Sequence, residues 1–312
     1  VAGAGQFGSH HLRVVADHPD TELVAVVDRD ADRAHAAARE YGCEAFTNAR
    51  DLAGLVEAAI VAVPTSYHAD VACALLEMGI DVLVEKPMAF NLASADRMIA
   101  AADANACILQ VGHLERYNPA VVALATVARL PLFFEIHRMS LFSPRSLDVD
   151  VVLDLMIHDL DIVLSLVDSE LDEIRAAGIS ILSSKVDIAN VRLQFRNGCV
   201  ANLTASRAST EKVRKLRLFQ PGEYISVDYS RQELLAIRVT GDREISFHPV
   251  ETRKEEPLRL QLDAFLESVR SRRTPKLDGV TARRTLEVAL AILLRIEEHA
   301  SVVQSTVSAQ WP

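Results

Sequence analysis

The sequence predicts an α/β chain in two parts. A doubly wound parallel sheet comes first, and an α+β region with an open-faced, mainly antiparallel sheet follows. Three observations carry this. Residues 3–8 read Gly-Ala-Gly-Gln-Phe-Gly, and an apolar run ending in Asp28 follows 20 residues later. Continuous apolar strands alternate with helical segments as far as residue 113. Beyond that, strands succeed one another through short turns. The expected domains are therefore 1–113 and 114–312.

Only Val1 and Ala2 precede Gly3, and there is no initiator Met. A central parallel strand needs several more residues, so the natural chain is expected to begin upstream. Gly3 permits a tight turn, Gly5 lets the backbone approach a pyrophosphate, and Gly8 lets helix and strand pack closely. The helix that starts here offers free N–H groups and the positive end of its dipole to phosphate. With the strand Leu23–Asp28 and its terminal acid, this is the dinucleotide-binding pattern of a Rossmann domain. Gln6 and Phe7 belong to the same loop. Asp28 can accept hydrogen bonds from an adenosine ribose, and its charge repels a 2′-phosphate, which favours NAD over NADP. Arg29 pulls the other way, because an arginine there can pair with that phosphate.

Further parallel strands are predicted at Ala59–Val63, Asp81–Glu85 and Cys107–Val111. Helices are predicted around Ser9–Asp17, Arg29–Tyr41, Tyr67–Met78 and Ser94–Asn105, with Gly79 as a C-cap. Ligands bind such sheets at the carboxyl ends of the strands. Pro64-Thr65, Glu85-Lys86-Pro87 and Gly112-His113 stand at three of those ends. In the second part, Asn118–Leu130 reads as a helix, Leu132–Phe142 as a strand and Val149–Val167 as one long helix. Strands follow at Glu173–Ile179, Val186–Phe195, Cys199–Arg207, Lys215–Phe219, Glu223–Tyr229 and Leu234–Val239. Arg196-Asn197-Gly198 and Gln220-Pro221-Gly222 are hairpin turns. Helices near Leu258–Ser271 and Val280–His299 close the chain, and the Ser/Val-rich tail after Ala300 is expected to be extended or mobile.

Composition narrows the function classes. The net charge is −10 and no basic block with interleaved aromatics occurs, which argues against a nucleic-acid partner. No apolar window is long enough to span a bilayer. Cys43, Cys73, Cys107 and Cys199 are scattered, as expected of reduced thiols in a cytoplasmic protein.

The segment Val149–Val167 is apolar almost all round, so its helix is expected to be buried. Asp150, Asp154, His158 and Asp161 interrupt it at helical spacing and fall on one face. Carboxylates in such a place need partners or a polar cleft. Both a structural network and a functional site satisfy that requirement. Asp159 lies off the stripe and suits a structural contact. Lys86 ends a buried strand and puts a cation where a nicotinamide is expected, and Pro87 restricts it to extended conformations. A metal site is not expected, because Asp154 and His158 have no third ligand at ligand-like spacing.

These motifs resemble the Gfo/Idh/MocA oxidoreductases over essentially the whole chain. The resemblance rests on Gly3–Gly8, on Val63-Pro-Thr-Ser-Tyr-His68, on Glu85-Lys-Pro87 and on Asp154-x-x-x-His158. It implies a nicotinamide-dependent dehydrogenase that acts on one hydroxyl of a sugar or cyclitol, and assembly into dimers or tetramers through the open sheet. By it, Lys86, Asp154 and His158 match the catalytic trio, and Pro64, Thr65, His68 and Glu85 line the cofactor site. Gly112-His-Leu-Glu-Arg-Tyr-Asn-Pro119 and Asp154–Asp161 resemble the branch that oxidises UDP-N-acetylglucosamine at its 3-hydroxyl. Arg116, Tyr117, Asn118 and Arg145 are then substrate contacts. Asp150 stands where many relatives carry a small residue.

The expected reaction has His158 as general base, Asp154 orienting the imidazole or balancing Lys86, and Lys86 stabilising the alkoxide. A nucleotide sugar needs further cations, and Arg116, Arg138, Arg145 and Arg207 are the candidates. The alternatives are oxidation of inositol or another free polyol, an NAD-binding regulator without turnover, and a lyase or hydrolase that uses NAD transiently.

Overall fold

The structure, a computed structural model, describes residues 1–141, 149–239 and 244–310. Its chain divides into one unit of residues 1–114 with 256–286, and another of 115–255 with 287–312.

The first unit holds five parallel strands: β1 Ala25–Val27, β2 Glu44–Phe46, β3 Ala58–Val61, β4 Asp81–Glu85 and β5 Leu109–Gly112. Ala2 bridges both Val27 and Val61 in parallel, so the first two residues fill the slot between β1 and β3. The resulting order is that of a doubly wound sheet. The crossovers are helices α1 Gln6–Asp17, α2 Ala31–Tyr41, α3 His68–Leu76 and α4 Leu92–Ala104. Asp30 caps α2 by accepting the Arg33 N–H, and Gly42 ends it at φ +71°, where a side chain would be strained. Strand β2 was not expected: its three residues carry no apolar run and none is fully buried. Its existence rests on pairing with β1.

In the second unit, α5 spans Pro119–Val127, capped by Asn118. Strand β6 is Phe133–Leu141. The predicted helix from Val149 is interrupted: Val152–Met156 form a π-turn, and only then does α6, Ile157–Leu166, begin. Seven strands follow: β7 Leu171–Ile179, β8 Ile188–Phe195, β9 Val200–Ser209, β10 Val213–Gln220, β11 Glu223–Asp228, β12 Glu233–Val239 and β13 Ile245–Val250. The sheet order is β13-β12-β11-β10-β6-β9-β8-β7, antiparallel throughout except for the parallel pair β6–β9. Strand β13 was missed because Pro249 argues against a strand, yet proline is tolerated at an edge, which is where β13 lies. One face of the sheet is core, with Phe134, Ile136, Val191, Leu193, Phe195, Leu203, Leu216 and Leu218 all buried. On the opposite face, Phe133, Phe219, Tyr224, Ile237 and Phe247 stand in one cross-strand row.

Two corrections concern the closing helices. Helix α7, Pro257–Ser271, belongs with the first unit rather than with everything after residue 113. Its Leu258, Leu262 and Phe265 share a core with Leu12, Val14 and Val15 of α1, Val26, Ile60 and Leu83. Each such side chain contributes roughly 1.5–3 kcal/mol when fully buried. His18 reaches Asp263 at 2.7 Å, and Arg13 pairs with Glu256. Helix α8 runs from Gly279 to Gln310, so the tail after Ala300 is helical and not extended. Propagating an existing helix avoids the cost of nucleation and outweighs the weak preference of Ser and Val.

Candidate active site

The glycine loop is built by exclusion. Gly3 has φ +102°, and a Cβ on it would lie 2.5 Å from the Ala62 carbonyl oxygen. A Cβ on Gly8 would fall onto the Gly3 carbonyl oxygen. Gly5 differs: a Cβ there would meet nothing of the protein within 4 Å. Packing within the chain does not require glycine at that position. Helix α1 starts at Gln6 with no side-chain cap and no acidic residue in its first turn, so its N–H groups and dipole remain available to an anion. Gln6 and Phe7 are exposed beside it. At the end of β1, Asp28 Oδ2 accepts the Ala4 N–H at 2.9 Å and Oδ1 accepts the Asp30 N–H at 3.0 Å. The carboxylate is thereby pinned against the glycine loop. Arg29 lies with its guanidinium 4.1 Å from the Tyr67 ring centroid. These residues fit a dinucleotide: an open glycine, an uncapped helix start and a fixed acid.

Glu85 and Lys86 leave the end of β4. Glu85 is buried, and its Oε1 meets His11 Nε2 at 2.8 Å and Gln261 Nε2 at 3.5 Å. Its Oε2 accepts the Lys86 N–H at 3.2 Å. A Cβ on Gly112 would lie 2.6 Å from this carboxylate, so glycine makes the room it occupies. The Lys86–Pro87 peptide is cis. His68 is buried, with Nε2 2.9 Å from the Val63 carbonyl and Nδ1 3.0 Å from that of Pro87. Burial holds its pKa below the usual histidine value despite these contacts. The ring ties the exits of β3 and β4 together, while Pro64 and Thr65 remain accessible beside it. Lys86 is half-buried between buried neighbours on both sides.

In the second unit, the polar stripe separates into two kinds of residue. From Val151 to Leu164, every residue is buried except Asp154, Leu155 and His158. Asp161 is buried and its carboxylate accepts from Arg116 at 3.2 Å. Asp150 accepts the Val186 N–H at 2.9 Å and thereby fixes the entry to the π-turn. Asp159, as expected, is structural: Arg138 holds it through two bonds of 2.7 and 2.8 Å. Arg138 also donates to Glu115 at 2.8 Å and is itself buried. The π-turn, which widens the helix locally, carries Asp154 and is followed by His158 in the first turn of α6.

Comparison with known proteins gives the family. A family described as "Oxidoreductase family, NAD-binding Rossmann fold" matches residues 1–113, and a "GFO/IDH/MocA C-terminal domain" matches residues 136–220. The chain is 35% identical over 303 residues to UDP-N-acetylglucosamine 3-dehydrogenase of Acidithiobacillus ferrooxidans, covering 95% of this chain and 96% of that one. The chain belongs to the Gfo/Idh/MocA oxidoreductase family. A solved structure of the Acidithiobacillus enzyme superposes with a TM-score of 0.90 at 34% identity, over 96% of this chain and 97% of that chain. The scyllo-inositol 2-dehydrogenase (NAD(+)) of Bacillus subtilis is 26% identical over 314 residues, 93% of this chain and 91% of that protein.

Several candidate substrate residues of this Gfo/Idh/MocA oxidoreductase are engaged within the protein. Arg138 is consumed by Asp159 and Glu115, and Arg207 donates to the Val149 and Val186 carbonyls. Arg116 is engaged by Asp161, and Arg145 lies outside the described residues. All three side-chain hydrogen bonds of Asn118 are internal: it accepts the Ala120 N–H and donates to Glu115 and to the Tyr229 carbonyl. The Tyr117 hydroxyl is buried without a hydrogen-bond partner, and burial raises its pKa. Two residues around Glu85 were missed, His11 and Gln261. The available signal for His11 was a histidine on the apolar face of α1, beside Leu12 and Val15.

Proposed function

We propose that this oxidoreductase is a nucleotide-sugar dehydrogenase that oxidises the 3-hydroxyl of UDP-N-acetylglucosamine with NAD. The observation that carries the substrate is the match to the Acidithiobacillus enzyme across nearly the whole of both chains. His158 serves as general base, since an ordinary imidazole titrates near working pH. Asp154, one turn earlier, orients that imidazole. Lys86 supplies the positive charge that stabilises the alkoxide. The nicotinamide cofactor, when bound, takes up the hydride. Glu85 fixes the Lys86 backbone through its N–H, and His68 fixes the peptide that follows. The pinned carboxylate of Asp28 favours NAD, because a 2′-phosphate would be brought against a negative charge that two backbone N–H groups hold in place.

The test is direct. Purified protein with NAD and UDP-N-acetylglucosamine should form NADH, measured by its absorbance, and NADP should serve less well. Oxidation of inositol but not of the nucleotide sugar would move the reading to the polyol dehydrogenases, which the Bacillus subtilis relative keeps in view. Binding of NAD without turnover of any sugar would make the protein a regulator.

For assembly, the apolar row Phe133–Phe219–Tyr224–Ile237–Phe247 supports pairing of two open sheet faces in a homodimer or homotetramer. Light scattering at micromolar concentration tests it, and a monomer refutes it. The four free cysteines support a reducing, cytoplasmic setting. Among the described residues, no helix is long and apolar enough to cross a membrane.

A further inference from the structure

The revised arginine inventory leaves open which cation of the second unit meets an anionic substrate. One arginine outside the sequence-derived set answers to that need. Arg214 sits on β10, paired in register with Arg138 on β6. Its row on β10 continues through Leu216 and Leu218, both buried, so Arg214 stands on the core-facing side of the sheet. A strand alternation that places arginine in a core row was visible in the sequence and went unread.

Its surroundings do not satisfy it. Among the described residues, the Arg214 guanidinium makes no hydrogen bond, and its one ion pair is a 3.7 Å approach to Glu115 Oε1. That oxygen already accepts from Arg138 at 2.8 Å, and the other Glu115 oxygen accepts from Asn118 at 3.2 Å. The contrast with Arg138, which makes three charge-assisted bonds, is sharp. Burial and the neighbouring Arg138 cation both work against the charge on Arg214 and lower its pKa, while Glu115, Asp159 and Asp154 oppose that shift. A guanidinium offers five donors in a planar fork that matches a phosphate. Beside a single long ion pair, that fork can exchange water for phosphate oxygens without breaking an internal hydrogen bond among the described residues. Its side chain is 36% exposed, so a ligand can reach it.

Asp154 supplies the second half of the case. A carboxylate in a substrate site repels a pyrophosphate, and Arg138, the register partner of Arg214, bonds Asp159 at 2.7 Å, which puts Arg214 beside the start of the helix that follows Asp154 and carries His158. A cation there makes the site tolerable to an anionic substrate.

We propose that Arg214 is a substrate-binding residue that takes a phosphate oxygen of the nucleotide sugar and offsets the charge of Asp154. This rests on the nucleotide-sugar reading above.

The experiment measures UDP binding calorimetrically in the presence of saturating NAD, and steady-state kinetics with UDP-N-acetylglucosamine. Arg214→Gln should weaken UDP binding and raise KM for the nucleotide sugar by about 10- to 100-fold, the loss of one charge-assisted hydrogen-bonded contact. Its KM for NAD should stay within about threefold of wild type, and any fall in kcat, read through the charge of Asp154, should be smaller than the rise in KM for the nucleotide sugar. Arg214→Lys keeps the charge, loses the fork, and should fall between the two. UDP binding unchanged in both variants overturns the proposal. So does a parallel loss of UDP and NAD binding with a lowered melting temperature, which would make Arg214 structural. If Arg214→Gln does not fold, Arg214→Lys decides: weakened UDP binding at unchanged NAD affinity supports the role, and equal binding refutes it. Wild-type protein that oxidises inositol and ignores UDP overturns the nucleotide-sugar reading and this assignment together. Wild-type turnover of the nucleotide sugar with an indifferent Arg214→Gln overturns this assignment alone.

Discussion

The glycine loop of the first unit and the π-turn of the second differ in what they are made of. The loop is backbone: two positions where a Cβ is excluded, one where it would meet open space, and one acid held by two N–H groups. The π-turn is a choice among side chains of the same type. Asp150, Asp154, Asp159 and Asp161 lie within twelve residues, and only the partners of each separate them. Asp150 accepts an N–H, Asp159 and Asp161 accept from arginines, and Asp154 shares its half-buried state with His158. A backbone site is written in residue types that nothing else can replace. A side-chain site is written in residue types whose meaning depends on what folds against them.

The largest expected effect breaks this comparison if it fails. His158→Ala should lower turnover by about 10²–10⁴-fold, with NAD affinity changed much less. Lys86→Ala should cost about 10²–10³-fold. Steady-state kinetics with separate NAD titrations checks both, and near-normal turnover in His158→Ala would return that residue to the structural class of Asp159. Next comes that class itself. Asp159→Ala strands a buried arginine and should destabilise the fold by about 3–5 kcal/mol, read from urea unfolding. A loss below about 1 kcal/mol would mean that Glu115 alone suffices for Arg138.

Glycines sharpen the other side. Gly8→Ala forces a Cβ onto the Gly3 carbonyl and should cost about 1–3 kcal/mol or more of stability. Gly5→Ala should leave the melting temperature nearly unchanged and weaken NAD alone. Equal melting temperatures for the two variants would erase the distinction between a packing glycine and a ligand glycine.

The smallest effect is a pH dependence. Burial alone would raise the Asp187 pKa, but the Leu182 and Ile181 N–H groups and the Ser183 hydroxyl and N–H hold it down to about 2. A carboxyl depressed in the folded state stabilises above its unfolded value, 3.8, and that stabilisation is lost as pH falls through about 2. The contribution is on the order of 2 kcal/mol. Asp187→Asn should flatten acid unfolding between pH 4 and 2 by roughly that amount. An unchanged acid limb would show that the four bonds from the 181–183 loop do not persist in solution.

Most of the fold was legible because periodicity reports burial. The strands β3, β4 and β8 and the helices α1 to α4 are read from apolar runs and their caps. Three features escaped for distinct reasons. Strand β2 has no apolar pattern of its own and exists by pairing. Strand β13 carries a proline that only its edge position excuses. The π-turn inserts its extra residue without a glycine or proline to announce it. At the site, spacing and resemblance single out Lys86, Asp154 and His158 as candidates. Which arginine is engaged within the protein was not legible, because sequence shows a charge and not the carboxylate waiting for it, as Arg138 and Asp159 make plain.

The return of α7 to the first unit has a consequence for synthesis. A ribosome delivers Leu12, Val15 and Ile60 long before it delivers Leu258, Leu262 and Phe265, with which they share a core. At about 5–20 residues per second, the interval between residue 114 and residue 271 is roughly 8–30 s. During that time the face of α1 meant for α7 is exposed, and the nascent dinucleotide-binding half is an unfinished client for any chaperone near the exit tunnel. Nascent chains arrested after residue 250 should be cleaved within α1 by added protease, and chains arrested after full emergence of residue 286 should resist. Equal resistance at both lengths would mean that the parallel sheet closes without its last helix.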